Sequence, residues 1–291
     1  MNAGDRVQAF EAERGALIGI AYRLTGSRAE AEDVAQDAWL RWRKVDPEAI
    51  EDPHAYLATV VTRLCLDRMK SAKARREIYV GPWLPEPLVD ETLGSGTASE
   101  LADDLSMALM LALERLSPLE RAAFILHDVF DLGFAEVANG LGRSEDACRR
   151  LASRARTHVR ENRPRYAVAP EEGRRVVEAF QRAAEQGDLK ALSALLTEDA
   201  VFLSDGGGRR VAALRPIEGG KDVASFIEGI AVRRGAFFGL EVRPATVNGL
   251  PGLVARSPEG ELDAIAFEIK DGLIHAIYVV RNPEKLARVS F

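Results

Sequence analysis

Apolar residues at helical spacing dominate the first half of the chain. Phe10, Leu17, Ile18, Ala21 and Leu24 predict an amphipathic helix over Val7–Leu24 that stops near Thr25-Gly26. Ser27 to Glu30 has the form of a capping box. The helix it opens, to about Arg43, turns Ala31, Val34, Ala35, Ala38, Trp39 and Trp42 inward and Glu32, Asp33, Gln36, Asp37 and Arg41 outward. Asp52-Pro53 starts a long third helix with Tyr56, Leu57, Val60, Val61, Leu64 and Cys65 as its apolar stripe. Further on, helices are expected over Leu101–Arg115, Pro118–Phe130 and Phe134–Leu141, and from a Ser144 cap to about Arg160. Ala138, Gly142 and Cys148 stand where a helix-turn-helix needs a small residue, a turn glycine and a buried side chain.

The pattern changes after Arg163–Pro170. Two helices, the first carrying Val176, Val177 and Phe180 and the second Leu189, Leu192, Leu195 and Leu196, precede a strand at Ala200–Ser204 and a turn at Asp205–Arg209. A helix over Lys221–Arg233 and strands at Gly239–Val247, Gly252–Ser257, Leu262–Lys270 and Leu273–Val280 follow, the last two joined by Asp271-Gly272. Helices followed by a curved antiparallel sheet predict an α+β domain.

Between the helical domains lies Tyr79–Leu88. It holds three of the 13 prolines, which force an extended chain, while Trp83, Leu84 and Leu88 make it a poor solvated linker. It either tethers or docks. Glu91–Ser99, rich in Gly, Ser and Thr, reads as a flexible joint.

Composition changes the picture mainly through charge placement. The net charge of −6 argues against nucleic acid. Yet Arg63–Arg76 holds six Lys or Arg against one acid, and Arg143–Arg165 eight Arg against three acids. One-signed islands in an acidic chain suggest two phosphate-contacting surfaces. Cys65 and Cys148 lie far apart with no second ligand at metal spacing, so neither a metal nor a cofactor is expected. No signal peptide and no membrane-length apolar run is seen, and a cytoplasmic location without membrane contact is expected.

Three blocks resemble the first domain of the sigma-70 family, extracytoplasmic-function group: Ala21–Gly26, Ala31–Trp42, and Tyr56-Leu57 through Arg63–Arg68. Ser117–Arg156 resembles the second domain. In that family the second helix binds the β′ clamp of core RNA polymerase, which implies Glu32, Asp33, Gln36, Asp37 and Leu40, and the β flap is a further polymerase contact. The minus-ten element of promoter DNA falls to Asp46, Tyr56, Arg63, Asp67, Arg68, Lys70, Arg75 and Arg76. The minus-thirty-five element falls to Ser144, Glu145, Asp146, Arg149, Arg150, Ser153 and Arg154. Thr62-Arg63 replaces the Arg-Asn of many relatives and Tyr56 stands where Trp is common, so promoter specificity does not transfer.

The last third resembles SnoaL-like domains of the nuclear-transport-factor-2-like fold, carried by a subgroup of these sigma factors. That subgroup shows three blocks present here: Trp83-Leu84-Pro85-Glu86-Pro87-Leu88, Asp205-Gly206-Gly207-Gly208, and Asn282-Pro283-Glu284-Lys285-Leu286. The expected fold is multi-domain: sigma domain 2 over 1–78, a linker over 79–99, sigma domain 4 over 100–165, and an α+β SnoaL-like cone over 170–291. The expected function is promoter-specific initiation modulated by contact of the Asp205 and Asn282 blocks with the Trp83 stretch. The alternatives are a SnoaL-like enzyme using Asp205, His275 and Tyr278, a ligand sensor fused to a DNA-binding module, and a stand-alone repressor. The non-enzymatic reading is favoured because the glycines suit a backbone turn approaching another surface. The cone cavity is left with two roles, holding a small ligand or a structural plug.

Overall fold

A computed structural model describes residues 3–46, 50–77, 79–90, 106–162, 168–234 and 239–291. The side chains of 71–77, including Arg75 and Arg76, lie outside the described residues, as does the whole of 91–105 with the expected joint. The chain divides into two compact units, Met1–Glu77 with Ala108–Pro164, and Ile78–Met107 with Arg165–Phe291.

The first unit is helical: α1 (Ala3–Thr25), α2 (Arg28–Trp42), α3 (Pro53–Glu77), α4 (Met107–Glu114), α5 (Pro118–Phe124), α6 (Phe134–Leu141) and α7 (Glu145–Asn162). Leu17, Ile20, Val34, Trp42, Leu57 and Val61 are buried, as the apolar spacing requires. The Ser117 capping box is complete, with Glu120 N–H donating to Ser117 Oγ at 3.4 Å and Ser117 N–H to Glu120 Oε2 at 3.2 Å. The helix it opens does not run regularly to Phe130. Ile125–Val129 widens into a π-helical turn closed by Phe130 N–H on Ile125 O at 3.1 Å, a change of one residue per turn that apolar spacing does not register.

Two arginines join the early and late helices of this unit. Arg121, buried, donates Nε–H to Arg23 O at 2.7 Å and ion-pairs with Glu114. Arg63 donates from Nε to Gly140 O at 2.9 Å and from Nη2 to Asn139 O at 2.7 Å. Those carbonyls are among the last of α6, the groups a helix leaves without intrahelical partners. Gly140 permits the approach, since a Cβ there would stand 3.1 Å from Thr59 Oγ1 on α3.

The second unit is the α+β domain. It comprises β1 (Val89–Asp90), α8 (Pro170–Gln186), α9 (Leu189–Ala194), β2 (Leu196–Asp205), β3 (Ile217–Glu218) and α10 (Gly220–Arg234). Then come β4 (Glu241–Val247), β5 (Leu250–Arg256), β6 (Leu262–Lys270), β7 (Leu273–Val280) and α11 (Pro283–Leu286). The sheet order is β1-β4-β5-β6-β7-β2-β3. Its concave face packs Leu253, Ile265, Phe267 and Ile277 against Val177 and Phe180 of α8 and Val223 and Ile227 of α10.

Three expectations need correction. Leu195 and Leu196 do not extend α9, because Ile274 N–H bonds Leu195 O at 2.8 Å and draws the chain into β2. The sheet is not wholly antiparallel, because β2 runs parallel to β7, with Ser204 opposite Val279 and Asp205 opposite Val280. The proline stretch also ends in a strand, β1, paired with β4 at the sheet edge. Among the described residues no helix is long and apolar enough to cross a membrane, and no cluster of potential metal ligands occurs.

Candidate functional site

The parallel pairing of β2 and β7 brings their C-terminal ends side by side, and there Asp205 meets the Asn282 block. Asp205 has 0% exposure. Its Oδ1 accepts Tyr79 Oη–H at 2.6 Å and Gly207 N–H at 3.0 Å. Its Oδ2 accepts Leu84 N–H at 2.8 Å and pairs with Lys285 Nζ at 2.6 Å. A buried carboxylate is tolerable only when its lone pairs are used in this way. The Asp205 carbonyl in turn accepts Arg281 N–H at 2.7 Å and Asn282 N–H at 2.9 Å, so main chain and side chain lock together.

The linker is held along its length. Lys285 Nζ also bonds Leu84 O, and its ammonium lies 4.2 Å from the Trp83 ring centroid and 5.0 Å from that of Tyr79. Leu84, not Trp83, is the fully buried anchor; Trp83 is half-buried under Lys285. Pro85, Glu86 and Pro87 are buried, and Leu88 exchanges hydrogen bonds with Asn248 at 3.1 and 2.8 Å. Asn282 Nδ2 donates to Tyr79 Oη at 2.9 Å, while Asn282 Oδ1 caps α11 on Glu284 N–H at 3.0 Å. Pro283 starts that helix, and Leu286 is buried beneath it. Gly207, at φ 60°, has no room for a side chain: a Cβ would stand 2.3 Å from Asn282 Nδ2.

Sequence reasoning missed Tyr79 and Asn248 as contact residues. Asn248-Gly249, at φ 49° and 72°, forms the tight turn between β4 and β5, so an Asn-Gly signal was available for its position. Its second use, as partner of Leu88, depends on tertiary pairing.

On α2 and α3 two expected surfaces meet. Arg68 Nη2 pairs with Asp37 at 2.7 Å and Nη1 lies 3.9 Å from Asp33. Glu32 pairs with Arg28 at 3.1 Å. Gln36 is exposed and Leu40 is 40% exposed, an apolar side chain open to a partner. Tyr56 is half-buried with its ring 5.8 Å from that of Trp42, whereas Asp46 is exposed. Asp67 and Lys70, also exposed, pair with each other at 2.8 Å. Arg63 differs from expectation, being spent on the end of α6.

The helix-turn-helix has its expected local form. Gly142 takes a left-handed φ of 62°, Ser144 Oγ accepts Ala147 N–H at 3.3 Å, and Cys148 is buried. Ser144, Glu145, Asp146, Arg149, Arg150, Ser153 and Arg154 are all exposed on α7. Arg149 pairs with Glu145 at 2.8 Å and Asp146 at 3.3 Å, and Arg154 with Glu120 at 3.1 Å. Burial raises the thiols of Cys65 and Cys148, which suits packing and not reactivity.

The concave face of the second unit encloses a cavity of about 890 Å³. Asp205, His275 and Tyr278 do not line it. His275 lies 3.5 Å from Asp199 and 3.4 Å from Thr197, and Tyr278 donates to Glu268 at 2.8 Å.

Residues 9–75 match the family profile Sigma-70 region 2, and residues 106–159 match Sigma-70, region 4. The chain is 42% identical over 292 residues to the ECF RNA polymerase sigma factor SigJ of Mycobacterium tuberculosis, covering 96% of this chain and 92% of that one. A protein of the same organism named "Probable ECF RNA polymerase sigma factor SigI" is 36% identical over 190 residues, covering 65% and 66%. The crystal structure of M. tuberculosis SigJ aligns with a TM-score of 0.77 at 38% identity, over 97% of this chain and 98% of that one.

Proposed function

The chain belongs to the extracytoplasmic-function RNA polymerase sigma factors, and on that footing we propose that its C-terminal domain restrains promoter recognition by gripping the linker between the DNA-reading domains. In this reading α2 offers Glu32, Asp33, Gln36, Asp37 and Leu40 to the β′ clamp, and the second helical domain meets the β flap. The Asp46 loop and α3 serve the minus-ten element and α7 the minus-thirty-five element. The protein works in the cytoplasm, where polymerase and promoter are found.

One observation carries the regulatory part: Asp205, wholly buried, spends its carboxylate on Tyr79, Leu84 and Lys285. Residues 79–90 are thereby taken out of the tether between α3 and α4. A shorter free tether raises the effective concentration of the two helical domains for each other. Their contact uses Arg63, one of the residues expected to serve the minus-ten element. Release of the linker therefore frees a DNA-reading arginine as well as the spacing between the domains. The domain is read as non-catalytic because Asp205 is consumed by the linker and His275 and Tyr278 lie outside the cavity.

The test is transcription by core RNA polymerase with the purified full-length chain. Asp205→Asn, and the milder Trp83→Ala, are expected to raise start-site-specific transcripts several-fold at sub-saturating protein. A yield at or below the parental level from variants with the parental circular-dichroism spectrum refutes the restraint.

A further inference from the structure

We infer that the C-terminal cavity is a receptor site for a neutral, largely apolar small molecule with one hydroxyl or carbonyl end, and that its occupancy tightens the grip on the linker. The second half rests on the linker-restraint reading above; the first does not.

The volume, about 890 Å³, lies within the range of about 300–1,000 Å³ usual for small-molecule sites. Phe180, Phe202, Phe226, Ile265, Ile277 and Val279 supply apolar wall. Gly229 also lines it, in the interior of α10, where glycine is less favourable than alanine. A Cβ at Gly229 would meet nothing within 4 Å. A helix that forgoes a side chain beside empty space keeps that space open.

The polar end sets the class of guest. Asp263 lies on β6 opposite the start of the segment after β7. Its Oδ1 accepts Arg210 Nη1–H at 2.6 Å, and its Oδ2 lies 3.2 Å from Arg281 Nε. Arg210 pairs with Glu261 as well, at 2.7 Å. The two guanidinium charges are thus already matched by Glu261 and Asp263, so an anionic guest would be desolvated with no counter-charge to receive it. The remaining acid of the lining, Glu259, is exposed and bonded to Ser257, and offers a cation no buried partner. With both oxygens held by guanidinium groups, Asp263 is not placed as a general base. Arg281 Nη2 has no hydrogen-bond partner among the described residues, which leaves a donor for a neutral oxygen.

Coupling follows from strand alternation, which puts successive side chains on opposite faces. Ser204 faces the cavity and its neighbour Asp205 the linker; Arg281 faces the cavity and its neighbour Asn282 the linker. The loop after β2 is shared in the same way. Ala213 N–H donates to Ser204 Oγ at 2.7 Å and Arg281 Nη1 to Val211 O at 2.7 Å on the cavity side. On the other side Ala213 O lies 3.7 Å from the Cβ position of Gly81, and the Cβ position of Gly208 lies 3.3 Å from Val80. A guest that fills the cavity props this loop against Val80-Gly81.

The experiment uses the full-length chain and Nile red, a neutral apolar dye. Saturable one-to-one binding is expected, weakened at least about tenfold by Gly229→Phe, which fills the space without loss of thermal stability. Dodecanol should displace the dye at concentrations about tenfold below dodecanoate or dodecylammonium, which share its chain and differ in head-group charge. Saturating dodecanol should slow amide exchange in peptides spanning 80–88, and should fail to do so in Gly229→Phe. Binding that is absent or indifferent to Gly229→Phe overturns the receptor site, and tighter binding of either ion overturns the neutral class. Unchanged or faster exchange overturns the coupling. Exchange at 80–88 that Asp205→Asn does not accelerate is a different failure, that of the linker grip itself.

Discussion

Tyr79 illustrates how much a single residue adds to the linker site. Burial first, and then its hydrogen bond to Asp205, raise the phenol above its ordinary value of about 10. Because the folded value is the higher one, the stabilisation from this phenol is complete below pH of about 10 and is lost as pH climbs through the folded pKa. Subtracting the tyrosinate absorbance titration of Tyr79→Phe from that of the parent should leave a single step above pH of about 10. A step at or below that value shows that Tyr79 is not engaged. Contact of the Asp205 turn and the Asn282 block with the proline stretch was expected on three grounds. The resembling subgroup carries all three blocks, the glycines suit a backbone turn approaching another surface, and Trp83, Leu84 and Leu88 are costly to leave in water. Tyr79 was not expected there, since a tyrosine beside a proline-rich stretch reads as packing. Its role depends on two polar groups, Asp205 and Asn282, brought together from distant positions.

Elements were legible in proportion to their length and periodicity. The caps at Ser117 and Ser144 and the turn at Gly142 fell where residue chemistry put them. The direction of β2 relative to β7 did not follow, since alternation is the same in parallel and antiparallel strands. That direction is what builds the site, because antiparallel pairing would set Asp205 and Asn282 at opposite ends. Strand β1 is too short to show a period at all. The packing of α6 on α3 was equally hidden, as its closest approach, at Thr59, needs a glycine at 140. Gly140→Val should push α6 off Thr59, where the gap to a first methyl is already 3.1 Å, and so release Arg63. The expected result is tighter binding of a single-stranded minus-ten oligonucleotide in fluorescence anisotropy, with Gly140→Ala, which adds only the first methyl, intermediate between Gly140→Val and the parent. Affinity unchanged by Gly140→Val, or unaffected by Arg63→Ala, removes Arg63 from the DNA-reading set.

At the scale of the whole molecule the restraint is a matter of tether length, and its size can be bounded. Helix α3 ends at Glu77 and α4 begins at Met107, and residues 79–90 of the connection are bound to the C-terminal domain. Loop-closure entropy grows slowly with length, each doubling costing about 0.6 kcal/mol, which is about a threefold change in a closed-to-open ratio. Restraint by the linker alone is therefore graded. Gly-Ser insertions within 91–99 that double the free segment should raise transcript yield by no more than about threefold. Asp205→Asn should exceed that. It returns only residues 79–90, fewer than such an insertion adds, so its excess over the insertion comes from freeing the docked stretch to move and not from tether length. Combining the two should then add little, since a freed stretch leaves little restraint for added length to relieve. Multiplicative effects in run-off transcription would mean that the insertion and the Asp205 contact act on separate equilibria, and the tether account would fail.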